Sequence, residues 1–308
     1  MLNDKDGVSR RGALECLAWA GSGLLWTVSG GVPGAQLIGE AKAAAGAFSF
    51  VQISDTHIGF NKPANPDPNA TFTEALGKIS ALPQKPAFLL HTGDISHLSK
   101  AKEYDDFDQL AGAAKLETRY TPGEHDVIDE RQGALFLERY GKGTVGRGWQ
   151  SFDHGGVHFV GLVNVYDLKA GGMGSLGAEQ LDWLAADLKG KSASTPIVVF
   201  SHIPLWIIAA DWGWGTQDGA EALKLLSRFG SVTALNGHIH QLMQKVEGNV
   251  TFHSARSTAF PQPAPGTAPS PGPKVVPAGD LRGVLGVSQL TLVKGKAPLA
   301  VVDSTLAG

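Results

Sequence analysis

The sequence predicts an α/β protein in which sheets and helices form mixed layers. Short apolar runs alternate with stretches of helical spacing from Phe48 to Leu235, which is the pattern of successive strand–helix units. Two further strand-like runs flank Gly155-Gly156 and indicate an antiparallel hairpin. The last part of the chain is again rich in strand-forming residues.

The predicted elements follow one another along the chain. We expect strands at 48–53, 87–91, 119–121, 152–154, 157–163, 197–200 and 232–235, and helices at 71–82, 102–113, 131–140, 178–188 and 221–229. Further β structure is expected at 250–253, 283–293 and 299–302. Residues 261–277 are crowded with Pro, Ala and Gly, so they predict a long loop between two of these last strands.

The composition is that of a globular protein with a sizeable core. The chain has 308 residues, of which 43% are apolar and 18% charged. Its formal charge is −3 and no long run of one sign occurs. The sequence therefore lacks the cluster of basic residues that binding to a nucleic acid duplex or an anionic membrane surface would require. The single cysteine, Cys16, excludes an intrachain disulfide and a cysteine-ligated zinc site.

The first residues resemble a targeting segment. Arg10 and Arg11 precede a weakly apolar run, and small residues follow at 43–47, so residues 1–47 predict an export signal of the twin-arginine type. The run is too interrupted for a stable membrane span. We therefore expect a periplasmic or secreted protein whose functional domain covers 48–308. A terminal helix on a cytoplasmic enzyme is the alternative.

Polar side chains gather where five predicted strands end. Because ligand sites of open α/β sheets lie beyond the carboxyl ends of the strands, these side chains are expected to share one edge. The mixed oxygen and nitrogen ligands of Asp and His suit Mn, Fe, Zn or Co rather than calcium. The five segments are Asp55-Thr56-His57, Gly93-Asp94, Gly123-Glu124-His125-Asp126, Ser201-His202 and Gly237-His238-Ile239-His240.

The spacing within each segment has a physical use. In an extended backbone, residues two apart point the same way, so Asp55 and His57 can reach one metal ion. The same argument applies to His238 and His240, although a turn there would send them to two different ions. The glycine before Asp94 permits a tight turn and a close approach of the backbone, and glycines stand in the same position before Glu124 and His238.

In this order, the five segments resemble the calcineurin-like metallophosphoesterase superfamily, over most of the chain from Val51 to His240. The resemblance implies a four-layer αββα sandwich with a dinuclear metal site at the carboxyl edge of the strands. It also implies two divalent or mixed-valence transition metal ions. The first ion would be held by Asp55, His57 and His240, the second by His202 and His238, with Asp94 bridging both.

The resemblance further implies hydrolysis of phosphate esters by in-line attack of a metal-bridging hydroxide. His125 would face the substrate phosphate, first as a charge stabiliser and second as a general acid, and Asp126 would hold its ring. The expected partner is a small-molecule phosphate ester. Oligomeric state is not indicated.

Glu124 departs from the family pattern, which has Asn at this place. An extra negative charge beside the second metal would repel a phosphate dianion more than a diester monoanion, so the sequence favours phosphodiesters. A phosphomonoesterase or nucleotidase is the alternative. A degraded site that binds metal and phosphate without catalysis is a second alternative, although the other expected ligands are present.

Several other residues leave two interpretations open. His91 and His97 flank Asp94, and either a structural role or a place beside the site is possible for each. Trp206, Trp212 and Trp214 follow His202 and would either wall the substrate pocket or pack their loop against the domain. The loop at 261–277 would cover the pocket, reach a partner subunit or extend into solvent.

Overall fold

The computed structural model describes residues 23–29, 32–38, 47–293 and 299–307. The paired arginines and Cys16 lie outside these ranges, so the export signal stays a prediction. Among the described residues, no helix combines the length and the apolar character needed to cross a bilayer.

Strands and helices alternate through most of the chain, close to the predicted pattern. The strands are β1 (Gly23–Ser29), β2 (Val32–Ile38), β3 (Ala47–Ile53), β4 (Leu89–His91), β5 (Thr118–Tyr120), β6 (Gln150–His154), β7 (Val157–Gly161), β8 (Ile197–Phe200), β9 (Val232–Asn236), β10 (Gln244–Glu247), β11 (Val250–Ser254), β12 (Gly286–Val293) and β13 (Ala300–Thr305). The helices are α1 (Pro68–Ser80), α2 (Ala101–Ala111), α3 (Ala134–Tyr140), α4 (Ala178–Leu188), α5 (Gly219–Leu226) and α6 (Leu281–Val284).

Two sheets organise these strands. One has seven strands in the order β2-β1-β13-β12-β3-β4-β5, and the other has six in the order β10-β11-β9-β8-β7-β6. Strands β3, β4 and β5 are parallel to one another, as are β7, β8, β9 and β11. The carboxyl ends of each parallel set therefore meet at one edge, where the loops that follow them can form a common site.

The apolar side chains define four layers. The space between the two sheets is filled from both sides by aromatic and branched residues, among them Phe50, Phe88, Phe159, Phe200 and Leu290. Helices α1, α2, α3 and α6 pack on the outer face of the larger sheet, and α4 and α5 pack on the outer face of the smaller one. The predicted αββα sandwich is confirmed.

The structure differs from the predicted elements at three places. The expected strand at 283–293 begins only at Gly286, because α6 precedes it and turns Leu281 into the core beneath the first helices. Strand β10 was not predicted, since three of its four residues are polar and its one apolar residue, Val246, is exposed. Strands β1 and β2 form a hairpin at the edge of the larger sheet, within the segment predicted as an export signal.

Candidate metal centre

All of the expected ligands lie on loops that leave the carboxyl ends of parallel strands. Each expected ligand lies within four residues of the end of its strand. Side chains that are far apart in sequence therefore meet at one edge of the sandwich. The strands are β3 for Asp55 and His57, β4 for Asp94, β5 for Glu124, β8 for His202, and β9 for His238 and His240.

Three residues form a first group of potential ligands. The Nε2 atom of His240 lies 3.2 Å from Oδ1 of Asp55 and 3.3 Å from Nε2 of His57. All three side chains are buried. One ligand atom from each lies within 4.8 Å of the others, so the three can bind one cation.

A second group forms around Glu124. One carboxylate oxygen, Oε2, lies 2.9 Å from Nε2 of His202, and the other, Oε1, lies 2.9 Å from Nδ1 of His238. These three side chains also bring their ligand atoms within 4.8 Å of one another. The departure from the family pattern at Glu124 therefore points into the site.

Asp94 lies between the two groups. Its Oδ2 atom is 3.4 Å from Nε2 of His57 in the first group and 3.4 Å from Nε2 of His202 in the second. Its other oxygen, Oδ1, accepts a hydrogen bond from the backbone N–H of His125. Oδ2 is thus the atom placed to face both groups.

The arrangement fits cations better than it fits hydrogen bonds. Ligands at about 2.1 Å from one metal ion lie about 3.0 to 3.4 Å from each other, and the distances above, from 2.9 to 3.4 Å, are close to this range. Buried atoms at the centre, among them Nε2 of His202 and both ring nitrogens of His238, have no hydrogen-bond partner in the described part of the chain. Uncompensated buried polar atoms are unfavourable, and a bound cation would compensate them.

Two of the imidazoles are oriented by backbone carbonyls. The Nδ1–H of His202 donates to the carbonyl of Thr92 at 2.7 Å, and that of His240 donates to the carbonyl of Phe260 at 2.5 Å. Because these carbonyls can only accept, they fix the tautomer and leave Nε2 of each ring with a free lone pair toward the site. Metal-binding histidines are held in this way in other proteins.

The backbone at the site is unusual. Five expected ligands have positive φ angles between 41° and 68°, in the left-handed region that few residues other than glycine adopt. Such strain collects at functional sites. The extended backbone expected around Asp55 and His57 is therefore wrong, although their side chains do converge. The five residues are Asp55, His57, Asp94, His238 and His240.

The turn after β9 separates its two histidines. His238 joins the second group and His240 joins the first, which decides between the two interpretations left open by the sequence. The glycine before them permits the close approach: a Cβ at Gly237 would lie 2.7 Å from Oδ2 of Asp55 and would also contact Ser54. A Cβ at Gly123 would likewise run into Asp94.

The electrostatics of the groups favour positive charge. Burial alone would raise the pKa of Glu124, but attraction to His238 and His202 outweighs it and holds the pKa well below its usual value. Burial also raises the pKa of Asp55, and attraction to His240 and His202 lowers it to about 2. Both carboxylates are thus ionised at neutral pH, as cation ligands must be.

His125 lies beside the two groups, but Asp126 does not hold its ring. The Nδ1–H of His125 donates to the carbonyl of His97 at 2.7 Å. The carboxylate of Asp126 instead accepts from the backbone N–H groups of Ile95 and Gly123, both at 3.0 Å. The expected role of Asp126 is therefore wrong: it ties the Asp94 loop to the Glu124 loop.

Two more histidines flank Asp94, with different outcomes. His91 is buried; its Nδ1 accepts from the N–H of Gly93 and its Nε2 faces Thr56, and burial lowers its pKa to about 3. It is a neutral structural residue. His97, by contrast, lines the site. His91 and His97 each lie three residues from Asp94 in the sequence, so the spacing alone could not show which of them lines the site.

A cavity of about 330 Å³ opens at the two groups. Beyond the ligands it is lined by Phe60, Lys62, Phe260 and the start and middle of the Pro-rich loop, at Gln262, Gly272 and Pro273. The loop thus covers one side of the pocket. The tryptophans of 206–214 do not line it; Trp214 is fully buried and Trp206 packs on Phe252, so they pack their loop against the domain.

The side chain of Gln262 fixes this part of the loop. Its Nε2 donates to the carbonyl of His238 at 2.9 Å, and its Oε1 accepts from the N–H of Gly272 at 3.1 Å. Gln241 reinforces the contact by donating to the carbonyls of Gln262 and Pro263. The wall of the pocket is therefore anchored to the segment that carries the ligand His238.

These loops and the two-sheet scaffold define a metal-dependent phosphoesterase. Residues 48–242 match the calcineurin-like phosphoesterase family, and the chain belongs to that family. It is 28% identical over 222 residues to a 3′,5′-cyclic-nucleotide phosphodiesterase of Nostoc sp., covering 69% of this chain and 79% of the relative. It is 26% identical over 228 residues to the glycerophosphodiester phosphodiesterase GpdQ of Enterobacter lignolyticus, covering 70% and 78%.

Solved structures share the fold. A dimetal phosphatase from Danio rerio superimposes with a TM-score of 0.61 at 14% identity, covering 83% of this chain and 98% of that one. The purple acid phosphatase PPD1 of yellow lupin superimposes with a TM-score of 0.62 at 13% identity, covering 87% and 53%.

Proposed function

We propose that the protein hydrolyses small phosphodiesters with two transition metal ions drawn from Mn, Fe, Zn and Co. The observation that carries the proposal is the position of Glu124, whose carboxylate lies within 2.9 Å of both histidines of the second group. Asp55, His57 and His240 would hold one ion, Glu124, His202 and His238 the other, and Asp94 would contact both. The mixed nitrogen and oxygen donors suit these metals.

When bound, two cations would supply a hydroxide nucleophile near neutral pH and would neutralise charge on the phosphoryl oxygens. The chain's own residues must then stabilise the charge that develops on the side of the leaving group. His125 is the group placed to do so, since its Nδ1–H is occupied by the carbonyl of His97. Its other ring nitrogen, Nε2, is left to donate to a phosphoryl or leaving-group oxygen.

The charge state of His125 suits this role. Burial lowers its pKa, but attraction to Asp94 and Glu124 outweighs burial and raises the pKa above its usual value. These carboxylates therefore favour the protonated ring, whose Nε2–H would donate to an anionic oxygen.

Glu124 favours diesters through its charge. A phosphodiester has one negative charge at neutral pH, whereas a monoester has close to two. One additional carboxylate at about 6 Å from the phosphate, at an effective dielectric constant of about 20, disfavours the second charge by on the order of 1 to 3 kcal/mol. That difference corresponds to about 10- to 100-fold in relative affinity for the two substrate classes.

The pocket and the relatives both support a small substrate. A cavity of about 330 Å³ is near the lower limit for small-molecule sites, and the anchored Pro-rich loop closes one side of it. The names of the two curated relatives, a cyclic-nucleotide and a glycerophosphodiester phosphodiesterase, agree with this substrate class.

Metal analysis combined with two chromogenic substrates tests the proposal. Purified protein is expected to bind two ions per chain and to hydrolyse bis-p-nitrophenyl phosphate faster than p-nitrophenyl phosphate under at least one added metal. Asp94→Asn should lose both metal and activity, while Asp106→Asn, at a half-buried residue paired with the exposed Lys102, should retain both. Two bound ions with no turnover of either substrate would instead establish a binding protein, and faster monoester turnover would establish a phosphatase.

We further propose export, and the N-terminal sequence of the protein isolated from its source cell tests it. A mature chain that begins near residue 48 in a periplasmic or secreted fraction is expected. An intact Met1 start would contradict it and would leave the hairpin of β1 and β2 on the sheet.

A further inference from the structure

His97 lies on the loop that carries Asp94, and the backbone fixes its distance from His57. The N–H of His97 donates to the carbonyl of Ile58 at 2.9 Å, and the N–H of Ile58 donates to the carbonyl of Ile95 at 2.9 Å. These bonds join the loop after β3 to the loop after β4 in a short parallel bridge. A side chain at position 97 is thereby held beside the first ligand group.

The ring of His97 contacts the far side of His57. Their Nδ1 atoms are 3.4 Å apart, a long hydrogen bond, and Nδ1 of His57 has no other partner among the described residues. Since Nε2 of His57 faces Asp94 and His240, a neutral His57 that binds a cation through Nε2 carries its proton on Nδ1. The lone pair of His97 Nδ1 is then the acceptor.

This contact differs from those of the other ligands. His202 and His240 donate their Nδ1–H groups to backbone carbonyls, which no substitution removes. His57 alone of these three relies on a side chain, so its orientation depends on the residue type at position 97.

The backbone of His97 orients a second histidine, His125. The carbonyl of His97 accepts the Nδ1–H of His125 at 2.7 Å, and the two rings are stacked with centroids 4.9 Å apart and an interplanar angle of 18°. The ring of Phe60 contacts His97 edge-on at 5.2 Å. His97 is thus fixed on both faces while it contacts two functional histidines.

We propose that His97 is a positioning residue that aligns His57 through its ring and His125 through its carbonyl. This proposal rests on the proposed function, since it gives His57 the role of a metal ligand. Its consequence is that one residue sets the distance between the first metal group and the imidazole that faces the substrate. Removal of the Nδ1 acceptor of His97 should lower the metal affinity of the first group. The backbone carbonyl of residue 97, which orients His125, would remain.

Two substitutions separate the acceptor from the shape of the ring. His97→Phe keeps an aromatic ring for stacking on His125 but removes the acceptor, whereas His97→Asn places an amide oxygen near the position of Nδ1. His154→Phe is a matched control, because His154 is exposed and packs edge-on against Phe48 far along the chain from the site.

Metal titration of the apoprotein with Co²⁺, followed by absorbance and by calorimetry, is the main measurement. In His97→Phe, one of the two equivalents should bind about 10- to 100-fold more weakly, as expected when an outer partner of a ligand is lost. The second equivalent should bind as in the wild type. His97→Asn should recover the affinity to within a few-fold, and His154→Phe should not change it.

Steady-state kinetics give a second readout. In His97→Phe, kcat should fall further below the wild-type value at limiting metal than at saturating metal, because the carbonyl and the stacking on His125 remain while the metal site is weakened. Unchanged binding of both equivalents in His97→Phe would overturn the role of His97. A wild-type protein that binds no metal would overturn the proposed function instead, so the two failures are distinguishable.

Discussion

Glu124 and His202 are in contact at the edge of the sandwich where the expected ligands meet, with Oε2 of the carboxylate 2.9 Å from Nε2 of the imidazole. The ring is fully buried, and its other nitrogen is already occupied by the carbonyl of Thr92. Glu124 therefore cannot be regarded as a surface variant of the family motif. It adds a negative charge to the place where metal and phosphate would meet.

Glu124→Asn should shift substrate preference toward monoesters. Removal of one charge is expected to raise kcat/KM for p-nitrophenyl phosphate relative to bis-p-nitrophenyl phosphate by about 10- to 100-fold. Glu130→Asn, in the same loop but exposed, is the control and should leave the ratio unchanged. An unchanged ratio and unchanged metal content in Glu124→Asn would remove this residue from the site.

His125→Ala should lower turnover without loss of metal. Because Nε2 of His125 is the atom proposed to donate to the phosphate or the leaving-group oxygen, we expect kcat to fall by about 10²- to 10⁴-fold. As a charge stabiliser it should affect aryl and alkyl diesters by similar factors. A much larger loss for the alkyl diester, whose alkoxide needs a proton, would assign it as the general acid. His154→Ala is the exposed control.

Most of the ligand set could be predicted from sequence because its signals are local. Each candidate follows a recognisable strand, and parallel strands deliver their carboxyl ends to one edge whatever the intervening residues are. The close approach of the backbone was predictable for a similar reason, because it occurs at residues without a Cβ, namely Gly93, Gly123 and Gly237. The left-handed backbone at Asp55 and His57 was not predictable, because it arises from the contact between loops.

The error at Asp126 has a geometric cause. Adjacency in sequence suggested that Asp126 supports the ring of His125, but residues 124–126 form a 3₁₀ turn. In such a turn successive side chains diverge by about 120°, so neighbours point to different places. The carbonyl that accepts from the ring of His125 belongs to His97, which comes from another loop. Only the fold brings the two together, and no spacing along the chain records it.

Gly237→Ala should disrupt the first metal group. The added Cβ would lie 2.7 Å from Oδ2 of Asp55 and would contact Ser54, so the carboxylate must move and we expect metal affinity to fall at least about 10-fold. Gly77→Ala is the control: it lies within helix α1 with nothing inside 4 Å of the new Cβ. It should bind metal normally and gain about 0.5 to 1 kcal/mol of stability.

Mass spectrometry would measure the metal content of Gly237→Ala and Gly77→Ala, and urea unfolding would measure the stability of each variant. If Gly237→Ala retains two ions with wild-type affinity, the close approach between the β9 turn and Asp55 is not required for the site.

His158 provides a pH-dependent contribution to stability away from the metal groups. Its ring lies between two carboxylates, with Nε2 2.7 Å from Asp187 and Nδ1 2.8 Å from Asp153. Burial lowers the pKa of His158, but the hydrogen bonds to these carboxylates outweigh burial and raise it above its usual value. A group with a raised pKa in the folded state stabilises fully below its unfolded pKa, near 6.5, and loses this contribution as pH rises through the folded pKa.

Asp187→Asn should therefore destabilise the protein more at pH 6 than at pH 9. At pH 6 the variant loses a hydrogen bond between charged groups, which contributes about 1.5 to 3 kcal/mol to the free energy of unfolding. As pH rises through the folded pKa of His158, the wild type itself loses this charge, so the difference should shrink toward pH 9. Urea unfolding across this range measures it, with Asp182→Asn, exposed on the same helix α4, as the control. A difference that stays constant between pH 6 and pH 9 would mean that the charge on His158 does not change over this range.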